Sequence, residues 1–341
     1  MKKVSTIVSL ALALCLIFTA CATTSNDQNQ NNSEQNGVNN ENKQVVQQTV
    51  NVVGLKGPTS IGMIKMIDEK ALNSDSYKVD YQTVGAADLL TGKLINNEIQ
   101  IAAVPTNLAA VLYNKTKGKI QYLAQNTLGV LYVVGKEDIT SLADLEGKKV
   151  AISGKGLVPE YVMNFMLEKK GLTDKVVLDY LPDHATVAQA ILAGDVDYAI
   201  LPQPFVTKVT MNSENVKIVI DLNKVWEEAS NGESVLSMGC LVVNKEFAAN
   251  NKQFMKDFMT SYEESVNFVN ANPKDASVLV EENEVITNAK LVEKAIPNCS
   301  IVYKSASDAK SEINAFLNIL FESNNASIGG KLPGEDFYYE D

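Results

Sequence analysis

The sequence contains no arginine; all 30 of its basic residues are lysine. A planar two-pronged guanidinium clamp on a carboxylate, sulfonate or phosphate is therefore excluded. Any anion must be held by lysine ammonium groups, by hydroxyls, or by backbone N–H groups at helix starts. There is one histidine, His184, and one tryptophan, Trp226. Of the four cysteines, Cys15 and Cys21 lie near the start, leaving Cys240 and Cys299 in the body. No metal-ligand spacing and no cysteine–histidine pairing arises from so few residues, so no metal site, cofactor or catalytic residue is expected. One cysteine pair gives no disulfide framework, and Cys240 and Cys299 are read as two separate thiols. Positive charge is also in deficit. The formal net charge is −11, which argues against nucleic acid and against general adhesion to anionic lipid.

What is present begins with a processing signal. Met1-Lys2-Lys3 precedes an apolar run from Ile7 to Phe18, which ends at Thr19-Ala20-Cys21. A short basic start, a run too short to span a bilayer comfortably, and small residues before a cut site describe a signal peptide over 1–20. Phe18-Thr19-Ala20-Cys21 is similar to the bacterial lipobox, with Phe18 in place of the usual leucine. Cys21 is thus the expected lipidation site, anchoring the chain to the outer face of the cell membrane. From Ser25 to Gln48 the residues are mostly Asn, Gln, Ser and Glu. With almost nothing to bury, 21–48 is expected to be a disordered tether.

The remainder, from about Thr49, is long enough for two domains or one large one. Short apolar runs alternate with amphipathic helices. Strands are predicted at Thr49–Leu55, Tyr77–Val84, Ile99–Val104, Gln121–Gln125, Val130–Val134, Val150–Ser153, Val176–Tyr180, Asp197–Leu201, Val216–Ile220 and Leu241–Val243. Regular strand–loop–helix repetition argues for parallel α/β sheets. After Glu246 the pattern is mainly helical: Phe254, Phe258, Tyr262, Val266 and Val269 share one face, as do Ile313, Phe316, Leu317, Leu320 and Phe321.

Ligands of open α/β sheets sit beyond the C-terminal ends of strands. Four loops occupy such places: Lys56 to Ser60, Gly85 to Asp88, Pro105 to Asn107, and Gly154 to Leu157. Two supply Ser, Thr or Asn near a helix start and a third supplies Asp88, which fits both capping and ligand binding. Gly154-Lys155-Gly156 lacks phosphate-loop spacing, and the Gly85 region lacks a dinucleotide fingerprint. His184 is read as a solvated or capping residue or a ligand contact, and Trp226 as core or a stacking platform. Asp88 and Glu160 are carboxylates that the sequence does not place together. Without a nucleophile, base and orienting partner, catalysis is poorly supported.

Three stretches carry a resemblance. They are Gly57-Pro58-Thr59-Ser60 followed by Gly92-Lys93-Leu94 and Ile101 to Pro105; Ser141 to Val150; and Ala193-Gly194-Asp195-Val196-Asp197 running to Pro202-Gln203-Pro204-Phe205. Their order resembles the solute-binding proteins of bacterial ABC importers, in the nitrate/sulfonate/taurine and thiamine-precursor branch. The resemblance implies an α/β, two-lobed type II periplasmic-binding fold with a ligand cleft between lobes. Lobe one is expected at 49–134 plus 241–341 and lobe two at 135–240. It implies capture of a small organic ligand, a sulfonate-like anion or a heterocyclic vitamin precursor, and delivery to an ABC permease and its ATPase by a monomer. Carried over loop by loop, the expected ligand-binding residues are Pro58, Thr59, Ser60, Ala86, Thr106, Asn107, Gly154, Leu157 and Gln203. A surface lipoprotein acting as sensor or adhesin, and an enzyme of the same fold relying on His184, are the competing readings.

Overall fold

A computed structural model of the chain describes residues 47–85 and 87–340. The expected leader, Cys21, nearly all of the tether, and Ala86 lie outside the described residues. No helix among the described residues is long and apolar enough to cross a membrane.

The first series comprises β1 (Gln48–Leu55), α1 (Pro58–Ile61), α2 (Ile64–Asp68), β2 (Tyr77–Val84), α3 (Asp88–Ile95), β3 (Ile101–Pro105), α4 (Thr106–Thr116) and β4 (Ile120–Leu128). The second comprises β5 (Leu131–Gly135), β6 (Lys149–Ile152), α5 (Val158–Lys169), β7 (Val177–Tyr180), α6 (His184–Ala193), β8 (Tyr198–Pro202), α7 (Phe205–Asn212), β9 (Lys217–Asp221) and α8 (Leu222–Ala229). The chain then returns through β10 (Ser237–Asn244), α9 (Lys245–Asn250), α10 (Lys252–Ala271), α11 (Pro273–Glu282), α12 (Ala289–Ala295), β11 (Ile301–Ser305) and α13 (Ala306–Ser323).

Two sheets result among the described residues, in the orders β11-β4-β10-β3-β1-β2 and β7-β6-β8-β5-β9. Both are mixed rather than purely parallel, which corrects the sequence expectation. In the first sheet β10 runs antiparallel to β3 and β4, and β11 antiparallel to β4. In the second, β5 runs antiparallel to β8 and β9. The cause is connectivity. Only Gly129 and Val130 separate β4 from β5, so β5 starts where β4 ends and enters the other sheet from that end. β5 therefore leaves the first sheet and enters the second against its neighbours. β10 re-enters the first sheet from the second and so also runs in reverse. Leu131–Gly135, in the stretch expected to belong to lobe one, pairs in the second sheet. The helical C-terminal reading likewise missed β11.

Strand direction fixes the site. β1, β2, β3 and β4 end at one edge of the first sheet, and β6, β7, β8 and β9 at one edge of the second, where β5 begins. The Gly129-Val130 link joins those two edges, so they face each other. The Gly129 carbonyl accepts hydrogen bonds from Asn223 Nδ2 (3.0 Å) and Ser300 Oγ (2.8 Å). A Cβ at Gly129 would lie 1.4 Å from Asn223 Oδ1. Away from the link, α13 packs on α5 and α12 packs on α7.

Much of the family-like sequence proves to be structural. Ser141 and Asp144 form a reciprocal capping box on the short helical turn Leu142–Leu145. Gly194 ends α6 in the left-handed region at φ 89°, where a side chain would be strained.

Candidate functional site

A cavity of about 390 Å³ opens between the facing edges. Lys56 and Gly57 contribute from the loop after β1, and Pro204, Phe205 and Lys208 from the start of α7. Val285 to Asn288 and Leu291 close it from the α11–α12 connection. The lining is largely aliphatic and aromatic with two ammonium groups at the rim. Neither Lys56 nor Lys208 has a carboxylate within ion-pairing distance among the described residues, whereas nine other lysines do. In a chain of net charge −11, two unpaired lysines on one cavity, one from each sheet's edge, form a local positive field.

The expected residues divide into two groups. Pro58, Thr59, Gly154 and Leu157 stand at the facing edges. Pro58 and Thr59 are half-buried, and the Thr59 hydroxyl donates to Leu55 O (3.1 Å). Gly154 has φ +84°, and a Cβ there would press on the Pro159 ring at 3.1 Å. Leu157 precedes α5 with about half its surface exposed. The polar side chains of Thr106, Asn107 and Gln203 instead turn inward. Thr106 Oγ1 pairs with Ser237 Oγ at 2.8 Å, both fully buried. Asn107 Nδ2 donates to Ser327 O (3.0 Å). Gln203 Oε1 accepts from Thr207 N and Oγ1 (3.2 and 2.7 Å). Ser60 is buried, and its Oγ has no hydrogen-bond partner among the described residues. The capping reading of these loops is corrected as well: Gly57, Pro105 and Leu157 occupy the N-cap positions of α1, α4 and α5, with no side-chain cap.

His184 opens α6, with its ring against Phe205 (centroids 5.6 Å apart) and Nδ1 2.5 Å from Ser153 Oγ. Burial drives its pKa down from 6.5 to about 4, against the opposing pull of Asp183, so the imidazole is neutral at physiological pH. The pair is not built as a nucleophile and base. Ser153 is 1% exposed, and the Asp183 carboxylate is engaged by Thr186 N and Oγ1 rather than by the ring. Asp88 Oδ1 accepts from Leu89 N, whereas Glu160 Oε2 accepts from Gly156 N (2.5 Å) and the Glu160 carboxylate also meets the Tyr180 hydroxyl.

Trp226 is 1% exposed and packs between Phe165 and Phe316, with Nε1 donating to Ser234 O (3.1 Å). It is a core residue, not a platform facing the cavity. Cys240 and Cys299 are free, buried thiols whose pKa values burial raises, that of Cys299 to about 12. Among the described residues no group of His, Cys, Asp and Glu is placed to hold a metal ion. Sequence reasoning missed Phe205 and Lys208, which follow a loop it had singled out, and the 285–291 segment, which nothing local in the sequence marks.

The architecture is that of the periplasmic binding proteins of ABC transporters. Across 86% of this chain and 99% of the other, the structure matches a crystal structure of an ABC transporter from Parabacteroides distasonis, at 26% identity and TM-score 0.74. It also matches the periplasmic aliphatic sulphonate binding protein SsuA of Escherichia coli (16% identity, TM-score 0.70, 86% and 92% of the two chains). The periplasmic nitrate-binding protein NrtA of Synechocystis PCC 6803 superimposes at TM-score 0.59 (12% identity, 83% and 84%). More narrowly, residues 117–276 match the family model described as NMT1/THI5 like, the branch that the motif order resembles. A protein of Brucella abortus (strain 2308) named only as a binding protein is 24% identical over 227 residues, 65% of this chain. The match spans 64% of that relative's length.

Proposed function

We propose that the chain is an extracytoplasmic solute-binding lipoprotein of an ABC importer. It captures a small organic ligand between the facing sheet edges and delivers it to a permease. The two sheets with their helices act as the two lobes, with Gly129-Val130 and the 222–236 segment as crossovers; closure presents both lobes to the membrane partner. Lipidation at Cys21 keeps the monomer on the outer face of the cell membrane, and the 21–48 tether gives it reach. The observation that carries this reading is the cavity between the edges, apolar within and bearing Lys56 and Lys208 without counter-ions. It supports a sulfonate-like or carboxylate anion with an apolar body, or a heterocycle bearing such a group. The architecture favours binding without turnover, since Ser153 and His184 lack an orienting carboxylate. Differential scanning fluorimetry of the body against sulfonates, nitrate, carboxylates, pyrimidines and flavins tests it, because a ligand of the folded state raises Tm by mass action. A shift with one chemical class, stoichiometric and without product, supports the reading. No shift in any class, with a folded and ligand-free protein, favours the sensor or adhesin.

A further inference from the structure

The C-terminal end of β4 is chemically out of place. All but the last residue of β4 are buried, and strands buried on both faces are ordinarily apolar. Gln125, Asn126 and Thr127 nevertheless follow Leu123 and Ala124, at 1%, 0% and 2% exposure. Gln125 Nε2, Thr127 Oγ1 and the neighbouring Ser60 Oγ find no hydrogen-bond partner among the described residues, and the Asn126 amide and Tyr262 OH, which interact with each other, find none beyond that contact. Each such group costs about 1–3 kcal/mol when left unmade, so this concentration points to a partner from outside the chain.

Its place is the floor under the Pro58–Ser60 loop. β10 is irregular opposite it, with register shifts on both sides of Gly239, as bulged strands often are beside a binding site. A Cβ on Gly239 would lie 2.7 Å from Asn126 Oδ1, 2.9 Å from Thr59 Cγ2 and 3.3 Å from Thr127 Cβ. The missing side chain is what leaves Asn126 and Thr59 sharing one space, two residues before the crossover.

We infer that Asn126 is the specificity-determining residue of the cleft, reading a ligand group that carries a donor and an acceptor side by side, such as a carboxamide or the lactam edge of a ring. A side-chain amide offers one of each and complements that edge. A sulfonate or carboxylate end accepts only, and would set its oxygens against Asn126 Oδ1. The inference rests on the binding-protein reading and places Asn126 beneath the Pro58–Ser60 loop, beside rather than within the lining of the cavity that bears Lys56 and Lys208.

The test uses Asn126→Leu and Asn126→Asp in the full chain. Without ligand, an apolar side chain of similar shape removes an amide whose hydrogen-bonding capacity is met only by Tyr262 OH. Asn126→Leu is therefore expected to hold or raise Tm by a few degrees, roughly 2–4 °C per kcal/mol regained. With uracil, 2-pyrrolidone and an alkanesulfonate as calorimetric probes, the wild type is expected to bind a lactam-bearing probe and both variants to lose about tenfold or more in affinity. A fall in Tm of Asn126→Leu by several degrees overturns the inference, since Asn126 would then be satisfied structurally. Unchanged affinity in both variants for whichever probe binds, or wild-type preference for the sulfonate, also overturns it while leaving the binding-protein reading intact. Absence of binding by any probe or by the wider ligand panel defeats that reading instead.

Discussion

Replacing Trp226 with alanine separates a core indole from a ligand platform. The ring joins three helices: α8, which carries it, α5 through Phe165 (4.9 Å between centroids) and α13 through Phe316 (5.5 Å). It therefore ties helices of the second sheet to a helix that packs on the first. Truncating a fully buried tryptophan costs about 3–5 kcal/mol, because the lost contacts and the residual cavity add. For a body of this size that corresponds to a fall in Tm of roughly 10 °C. Trp226→Phe keeps a ring between the two phenylalanines and loses the Nε1 hydrogen bond. Ser234 O is not orphaned by that change, because Ser230 Oγ also donates to it (3.2 Å). The expected cost is about 1–2 kcal/mol. The measurement is urea unfolding followed by far-ultraviolet circular dichroism, since the only tryptophan fluorophore is removed. Ligand affinity, measured on the folded fraction, should change far less than stability. If Trp226→Ala unfolds within about 1 kcal/mol of the wild type while ligand affinity collapses, the reasoning from burial fails and the indole is a stacking surface.

Three further outcomes follow from named contacts. Gly129→Ala places a Cβ against Asn223 Oδ1 and Leu236 Cδ2 and must push Asn223 off the Gly129 carbonyl; chemical denaturation should show a loss of about 1–3 kcal/mol. For His184, the folded pKa of about 4 lies below the ordinary 6.5, so the unfolded chain binds a proton that the folded chain refuses. That contribution is complete above pH 6.5 and is lost as pH falls from 6.5 towards 4. Discounted for the partial exposure of the ring, it amounts to roughly 1–2 kcal/mol; His184→Gln should flatten that part of the stability profile in urea titrations between pH 7.5 and 4.5, and an unchanged slope would refute it. Lys56→Ala and Lys208→Ala should each weaken an anionic ligand about three- to tenfold by calorimetry and reduce the salt dependence of binding, with Tm in the absence of ligand nearly unchanged because neither lysine is paired.

The alternation of apolar runs and amphipathic helices made most elements legible, because period and length are local properties. Strand direction is not local. Nothing in Leu131–Gly135 or Ser237–Asn244 states that each runs against its neighbours; that follows from the points at which the chain passes from one sheet to the other, at 129–130 and at 222–236. Ile301–Ser305 was missed because it is a short edge strand with four of its five residues only half-buried. At the site, position was legible and partnership was not. Thr106 and Gln203 do sit at strand ends, yet the partners that occupy them, Ser237 and Thr207, follow from tertiary packing or from the turn of a helix. Lys56 and Phe205 adjoin residues already singled out. The 285–291 wall had no local signal, since a wall comes from chain far away in sequence.

The distribution of carboxylates narrows how an anion can lie in the cleft. α6 and α8 are capped by Asp183 and Asp221, whose oxygens accept from Thr186 N (2.7 Å) and Asn223 N (2.9 Å). Those helix starts are already satisfied. α5 has no side-chain cap, but Glu160 lies in its first turn and reaches back to Gly156 N. A ligand oxyanion there would meet a like charge, and the favourable dipole at a helix start, about 0.3–1 kcal/mol, does not offset a close carboxylate. α4, rising from the first sheet, and α7, rising from the second, carry neither side-chain cap nor acidic residue in their first turns. Lys56 stands on the first sheet's edge, and Lys208 faces it across the cavity. On the binding-protein reading, an anionic end is therefore better placed at the two lysines, near the starts of α4 and α7, than at the start of α5. The α5 side, with exposed Leu157 and the half-buried Tyr161 and Tyr180, is left to its apolar body.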